Sequence, residues 1–269
     1  MAAFIHHFSF EFRTALRNPT QMLMNYLFPL GFYVLMGLLM VPINPQFAGV
    51  MMPAMVVFNG LASGVLGLPG PLAESREAGI YRSYKINGVP AVSILAIPTI
   101  TTVFHMLIVA AIIALTASSL FAASAPTHWT AFAAISLVTA FSLSALGALI
   151  GVVAAGARSI VLFSQLIFLP SMLLAGLMLP LDLLPASLRV VSRLLPATYS
   201  MQAYLGLAYG QPTVIPATAS AAILLAGGVV AFGLAIYLFN WDSRNVSRRG
   251  HPLLALLAWL PYLAGMILL

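Results

Sequence analysis

The sequence predicts an all-α polytopic membrane protein. It has six transmembrane helices, an N-terminal amphipathic interfacial helix, an external re-entrant helical segment and an extra C-terminal hydrophobic helix. Three observations predict this. First, only 6% of the residues are charged and 62% are hydrophobic, with a mean hydropathy of +1.05. A soluble domain carries about 25% charged residues, so this chain has too few to cover a water-facing surface. Second, the apolar residues form long unbroken blocks. A β-barrel would alternate; helices satisfy their own backbone in lipid. Third, basic residues gather in alternate loops. The chain has no cysteine, which excludes disulfides and thiolate metal sites. Its net charge of +6 reflects loop placement, and no nucleic-acid partner is expected.

Phe4 to Asn18 reads as an amphipathic helix lying in the headgroup region. Phe4, Ile5, Phe8, Phe12, Ala15 and Leu16 share one face, opposite Ser9, Glu11, Arg13 and Arg17, with Phe10 a misfit. Asn18-Pro19 stops it. The opening is not a cleavable signal peptide, because the first long apolar run starts only near Met22. Spans follow at Met22–Val41, with Pro29 inside, and at Phe47–Leu68, with Gly60 and Gly64 spaced for close helix contact. Further spans are Ala91 to about Ser118, Trp129–Ala155 with Gly147 and Gly151, Ile160–Leu179 with Pro170, and Val214–Phe239.

Placing the N-terminus inside puts Arg13, Arg17, Arg76, Arg82, Lys85, Arg158, Arg244, Arg248 and Arg249 in the cytoplasm and only Arg189 and Arg193 outside. That is a positive-inside pattern. Two pieces do not fit plain spans. Pro180 to Gly210 is external yet half apolar, and its prolines predict broken helices dipping into the outer membrane face. In it Leu183, Leu184, Leu188, Val191, Leu194 and Leu195 recur at helical spacing. They are expected to fold onto the bundle while Arg189 and Arg193 snorkel to the headgroups. The segment, with Pro180, Asp182, Pro185, Pro196, Tyr199 and Tyr204, is read as an outer gate or as a fixed plug. The second piece, Pro252 to Leu269, is eighteen mostly apolar residues, either a seventh span or a helix packed on the bundle. In domain terms, residues 1–251 form the transmembrane domain, with 4–18, 69–90 and 180–210 as its special segments, and 252–269 stand apart.

The stretch from Pro69 to Pro90 organises the chain. It holds Glu74, Arg76, Glu77, Arg82 and Lys85, five of the sixteen charged residues. Ile80, Tyr81, Tyr84 and Ile86 lie among them, and a purely solvated loop has no use for such side chains. They suit docking into a groove of another protein, so a short helix held between two spans becomes a lever. Within the spans His105 reads as a neutral imidazole bonded to a carbonyl or hydroxyl, rather than a proton relay. Asn59 and Gln165 read as interhelical hydrogen-bonding amides rather than substrate contacts.

The only lysine, Lys85, follows Tyr84, so the chain has no P-loop. The two aspartates, Asp182 and Asp242, fall on opposite membrane sides, and neither H-E-x-x-H nor G-x-S-x-G occurs. An intramembrane enzyme acting on a lipid-linked substrate would need clustered acids or a metal site. An ion-coupled carrier would need intramembrane acids. Neither pattern is visible. No catalytic, cofactor-binding or metal-binding residue is assigned.

With those residues in view, the chain resembles the permease subunits of type-2 ABC (ABC-2 type) exporters. Glu74-Ser75-Arg76-Glu77-Ala78-Gly79, followed by basic residues and Gly88-Val89-Pro90, is similar to the family's coupling helix, with Ile80 where a threonine often stands. Leu174 to Pro185 and Leu195-Pro196-Ala197-Thr198-Tyr199 resemble the segment after the fifth span. The N-terminal helix ending at Arg17-Asn18-Pro19, with Phe28-Pro29 in the first span, is the third match. The tail from Pro252 departs from the usual six-span plan. The resemblance implies a homodimer, or a heterodimer with a sister permease, in a prokaryotic cell membrane. Separate ABC ATPase subunits would carry the ATP and Mg²⁺. A lipophilic substrate (a drug, natural product or lipid-like molecule) would leave along the dimer interface. Glu74, Arg76, Glu77, Gly79, Tyr81, Arg82 and Lys85 would couple to the ATPase.

Overall fold

In the computed structural model the chain is described over residues 2–241 and 250–269, apart from the side chains of residues 2–8 and 10. Asp242, Arg244, Arg248 and Arg249, and the side chains of Phe4, Ile5, Phe8 and Phe10, lie outside the described residues. Every regular element described is a helix.

α1 (Ala2–Arg17) ends at Asn18, whose side-chain oxygen accepts from the amides of Thr20 at 3.0 Å and Gln21 at 3.1 Å and so caps the next helix. Six helices are long and apolar enough to cross a membrane: α2 (Pro19–Ile43), α3 (Met51–Glu77), then α5 (Ala91–Phe121), α6 (Trp129–Val153), α7 (Ala157–Leu174) and α10 (Ala217–Leu238). Between α3 and α5 lies the short α4 (Ile80–Ile86); between α7 and α10 lie α8 (Ala186–Ser192) and α9 (Pro196–Ala203). After Gly250, a 3₁₀ stretch, Pro252–Trp259, leads into α11 (Leu260–Leu268).

The core is the pair α3 and α6. Residues 51–65 of α3 and 142–152 of α6 are buried throughout. The two helices meet where Gly64 faces Gly147. A Cβ on Gly147 would overlap the Gly64 carbonyl oxygen, and one on Gly64 would sit 2.9 Å from the backbone carbon of Leu143. The glycines therefore act as contact surface, as their spacing predicts. α10 crosses the other side of α6, where the Ser142 hydroxyl donates to the Leu224 carbonyl at 2.8 Å.

Two of the six long helices widen to π geometry, over Leu23–Leu27 in α2 and Leu61–Gly67 in α3. Each widening lies just before a proline, Pro29 or Pro69, which brings no N–H to the helix ladder. Neighbouring side chains supply donors: Ser164 donates to the Val65 carbonyl at 2.8 Å, and Ser63 to the Met24 carbonyl at 3.3 Å.

The bundle has two distinct ends. One holds residues 69–90, the start of α7 and the end of α10. At the other, the Ser124 amide donates to the Ala48 carbonyl and the His128 amide to the Ala208 carbonyl. Arg76, Arg82, Lys85 and Arg158 sit at the first, called the basic end below; Arg189 and Arg193 sit at the opposite one.

Three sequence expectations need correction here. The fifth long helix stops at Leu174, not Leu179, because the chain bends through 175–179 with Gly176 at a φ of 86°. Residues 69–90 are not one helix between spans, since Pro69–Glu77 continues α3. The C-terminal stretch begins as 3₁₀ helix, whose rise of about 2.0 Å per residue exceeds that of an α-helix. With α11 it reaches about 30 Å. It runs back along α10: Gly250 lies by Tyr237 and Leu238, the Tyr262 ring covers Gly227, and Gly265 lies by Ile223 and the Tyr199 hydroxyl. The stretch therefore packs along α10 over its length.

Gly147→Val is expected to force α3 and α6 apart and cost about 1–3 kcal/mol. Gly31→Val, at a position whose Cβ meets nothing within 4 Å, is the control. Thermal unfolding of the detergent-purified proteins should show the loss only for Gly147; equal curves would contradict the contact.

Candidate functional site

Residues 69–90 form a helical hairpin at the basic end. The Pro69–Glu77 part of α3 stops at Ala78, Gly79 reverses the chain, α4 follows, and Gly88 closes it. Gly79 and Gly88 have φ values of 74° and 72°, in the left-handed region. Any other residue there is strained by about 1–2 kcal/mol.

The hairpin has an inner and an outer face. Arg76 points inward and is only 8% exposed. Its two terminal nitrogens donate to the carbonyls of Val152 at 2.6 Å and Ala154 at 2.8 Å. Those carbonyls belong to the C-terminus of α6, where the last peptide groups have no intrahelical donor and the helix dipole is negative. A cation there satisfies both demands. Tyr81 is also inward: it is buried, its ring centroid lies 5.4 Å from that of Phe239 at the end of α10, and its hydroxyl bonds to Ser75. Burial pushes its phenol pKa up, so it stays a neutral hydroxyl. Half-buried Tyr84 is shifted the same way by burial and by the nearby Glu11 charge.

The outer face carries Glu74, Glu77, Arg82 and Lys85, with Ile80 and Ile86 exposed among them. Of the residues that the sequence assigns to partner contact, these are exposed. Arg76, Tyr81 and, in part, Tyr84 instead hold the hairpin to the bundle. The residues missed by sequence reasoning are their partners, the Val152 and Ala154 carbonyls and Phe239.

At the opposite end, Leu181–Leu183 forms a 3₁₀ turn followed by α8 and α9. Pro180, Asp182 and Pro185 are exposed at its turns, and Pro196 opens the fully buried α9. The expected apolar stripe does not fold inward as a unit: Leu184 and Leu195 are buried, but Leu183, Leu188 and Val191 are exposed. Helical spacing sets a common face but not what covers it, and here most of that face stays at the surface of the chain. Arg189 folds back to donate to the carbonyls of Asp182 at 3.0 Å and Leu184 at 3.1 Å. Tyr199 and Tyr204 are wholly buried inside one copy of the chain rather than lining a surface. Tyr199 donates to the Tyr262 carbonyl at 3.3 Å, and Tyr204 to the Ser136 hydroxyl at 2.8 Å.

Within the spans Asn59 donates to the Met106 carbonyl of α5 at 2.9 Å, as an interhelical amide should. His105 is bonded through Nδ1 to the Tyr26 hydroxyl at 2.6 Å, which fits the expected hydroxyl partner. Gln165 is half-buried on α7, with no hydrogen-bond partner among the described residues. Among those residues no group of three or more His, Cys, Asp or Glu side chains is placed to hold a metal ion.

Arg76→Met strips the donors from two carbonyls and is expected to cost about 2 kcal/mol or more. Lys85→Met, on the outer face, is expected to change stability by less than about 0.5 kcal/mol. Parallel thermal unfolding decides it, and equal melting would contradict the capping role.

No curated protein and no solved structure matches the chain. Its sequence does match the family profile described as ABC-2 type transporter over residues 3–209. That range runs from the N-terminal helix through the hairpin and five of the six long helices to α9 and the π turn after it. The chain therefore belongs to the ABC-2 type transporter family and is a polytopic membrane permease domain of that class.

Proposed function

We propose that this chain is the transmembrane permease subunit of an ATP-driven exporter. It moves a lipophilic substrate outward along an interface between two copies, or between this chain and a sister permease. ATP and Mg²⁺ bind separate ATPase subunits, which press on the hairpin. The observation that carries this reading is the two-faced hairpin. Its outer face mixes charge with Ile80 and Ile86 and suits a protein groove. Its inner face is tied to α6 by Arg76 and to α10 by Tyr81. A push on the outer face therefore reaches three long helices instead of being lost in a loose loop. In this division Glu74, Glu77, Arg82 and Lys85 make contact, Arg76 and Tyr81 transmit, and Gly79 sets the bend.

Further features support the arrangement. Leu162, Leu166, Leu169 and Leu173 are 54–72% exposed on α7, at the 4-3-4 spacing of a helix-pairing seam, which suits an interface between copies. Exposed Leu183, Leu188, Val190 and Val191 give the opposite end an apolar rim. We take that rim, with Pro180, Asp182 and Pro185, as the outer cap of the pathway, anchored through Pro196, Tyr199 and Tyr204. The loop charges favour a cytoplasmic N-terminus, with α1 along the inner headgroups. The length of the C-terminal stretch suits a seventh crossing.

The coupling test uses the permease co-purified with its ATPase. Glu77→Ala or Gly79→Pro should abolish transport-linked stimulation of ATP hydrolysis while membrane insertion is kept. Proline cannot adopt the φ of 74° at position 79. Wild-type stimulation in both variants would sink the lever.

Orientation is tested separately with single cysteines at two exposed positions, Ser187 and Ser83. A membrane-impermeant thiol reagent on intact cells should label Ser187→Cys and spare Ser83→Cys. The opposite pattern would overturn the topology.

A further inference from the structure

Gln165 differs from the other polar side chains in the body of α7. Ser164, next to it, is buried and donates to the Val65 carbonyl of α3. Ser171 is fully buried. Gln165 is only half-buried and has no hydrogen-bond partner among the described residues. Its place on the helix explains why. Residues three and four apart are neighbours on a helix surface, so Leu162 and Leu169 adjoin Gln165. These two leucines are 62% and 54% exposed and belong to the seam that continues through Leu166 and Leu173. The amide therefore lies along the edge of an apolar stripe that faces away from the bundle.

Depth sharpens the need for a partner. α7 runs from Ala157 to Leu174, and Gln165 stands at its middle, about 12 Å from its start. No charged residue occurs between Arg158 and Asp182. With α7 across the membrane, the amide lies near the mid-plane. Acyl chains there offer neither donor nor acceptor, and water is absent. A standing partner must come from another helix. Symmetry points to which one. Two copies inserted the same way are related by a twofold axis along the membrane normal, and such a contact brings a residue near the axis against itself. Each residue of α7 then has its counterpart at the same height. A primary amide carries a carbonyl acceptor and two N–H donors, so two of them face to face can exchange two hydrogen bonds.

We infer that Gln165 pairs with its counterpart in a second copy of this chain, forming a polar clasp at mid-membrane beside the leucine seam of α7. Leucines that are equally at home in lipid give a seam little preference for one register or one partner. The clasp supplies both, because its hydrogen bonds form only when two copies align at one height. The clasp rests on the reading above in one respect: two copies meet along α7.

The test uses the full chain in phosphatidylcholine liposomes and has two arms. The chain has no native cysteine, so single cysteines report alone. In the first arm Leu166→Cys and Gln165→Cys are oxidised separately, and each should give a disulfide-linked dimer. In the second, copies labelled through Ser83→Cys, exposed on the hairpin, carry donor or acceptor dyes. Energy transfer between them is followed as the protein is diluted into lipid. Gln165→Met keeps the side-chain length and removes both hydrogen-bonding groups. It should raise the protein-to-lipid ratio at half-association about tenfold, with Gln165→Asn falling between. Methionine faces lipid at no cost, so thermal stability should be unchanged, which separates lost pairing from lost folding. Cross-linking at Leu166→Cys, with association unchanged in Gln165→Met, would leave the α7 interface standing and overturn the clasp. No cross-link at either position would overturn both.

Discussion

The guanidinium of Arg76 donates to the carbonyls of Val152 and Ala154 and is buried as it does so. The carbonyls at a helix C-terminus must find donors, and near a membrane boundary water is a poor supply. An arginine from another element meets that need with two charge-assisted hydrogen bonds and complements the helix dipole. The demand comes from α6, but the consequence falls on the hairpin. Residues 69–77 cannot swing away without stranding both the cation and the carbonyls. The hairpin is thereby part of the bundle, and its outer face is the part left for another molecule.

That connection has value only if α6 is itself fixed to the rest. Gly64 and Gly147 bring α3 and α6 into backbone contact. Little lateral driving force comes from apolar side chains that are equally at home in lipid, so this close approach holds the core by van der Waals contact. Because α3 runs on from this contact into the hairpin, one rod carries both the packing surface and the first half of the hairpin. The π turns before Pro29 and Pro69 let prolines sit in these rods, with serines of neighbouring helices supplying donors to nearby carbonyls.

Much of this was legible in the sequence, for identifiable reasons. Unbroken apolar runs mark helices because lipid leaves the backbone no other solution. The charges of residues 74–85 mark the hairpin because they interrupt two long apolar runs. The glycine spacing announced a close contact, though not which helix would make it. What stayed hidden depends on direction. Arg76 reads like Arg82 in the sequence, yet its partners are backbone carbonyls 76 and 78 residues away, which leave no side-chain signature. Tyr81 looks like a docking aromatic until Phe239 is found beneath it. The leucines at 183 and 188 were misread because helical spacing reveals a common face but not whether protein or lipid covers it. Tyr199 and Tyr204 failed likewise: tyrosine serves a pore lining or a packed core equally well.

The central proposal is that the hairpin and α6 would move as one body if separate ATPases close on it. Ser83 on the hairpin and Ala155 just past α6 are both exposed and accept spin labels as cysteines. Double electron–electron resonance on the complex with its ATPase, with and without ATP trapped, would measure two distances. One runs from Ser83→Cys to Ala155→Cys within one copy. The other runs between the Ser83→Cys positions of two copies. The account predicts that the first stays constant while the second shifts on trapping ATP. A change in the first distance, with the hairpin moving independently of α6, would contradict it.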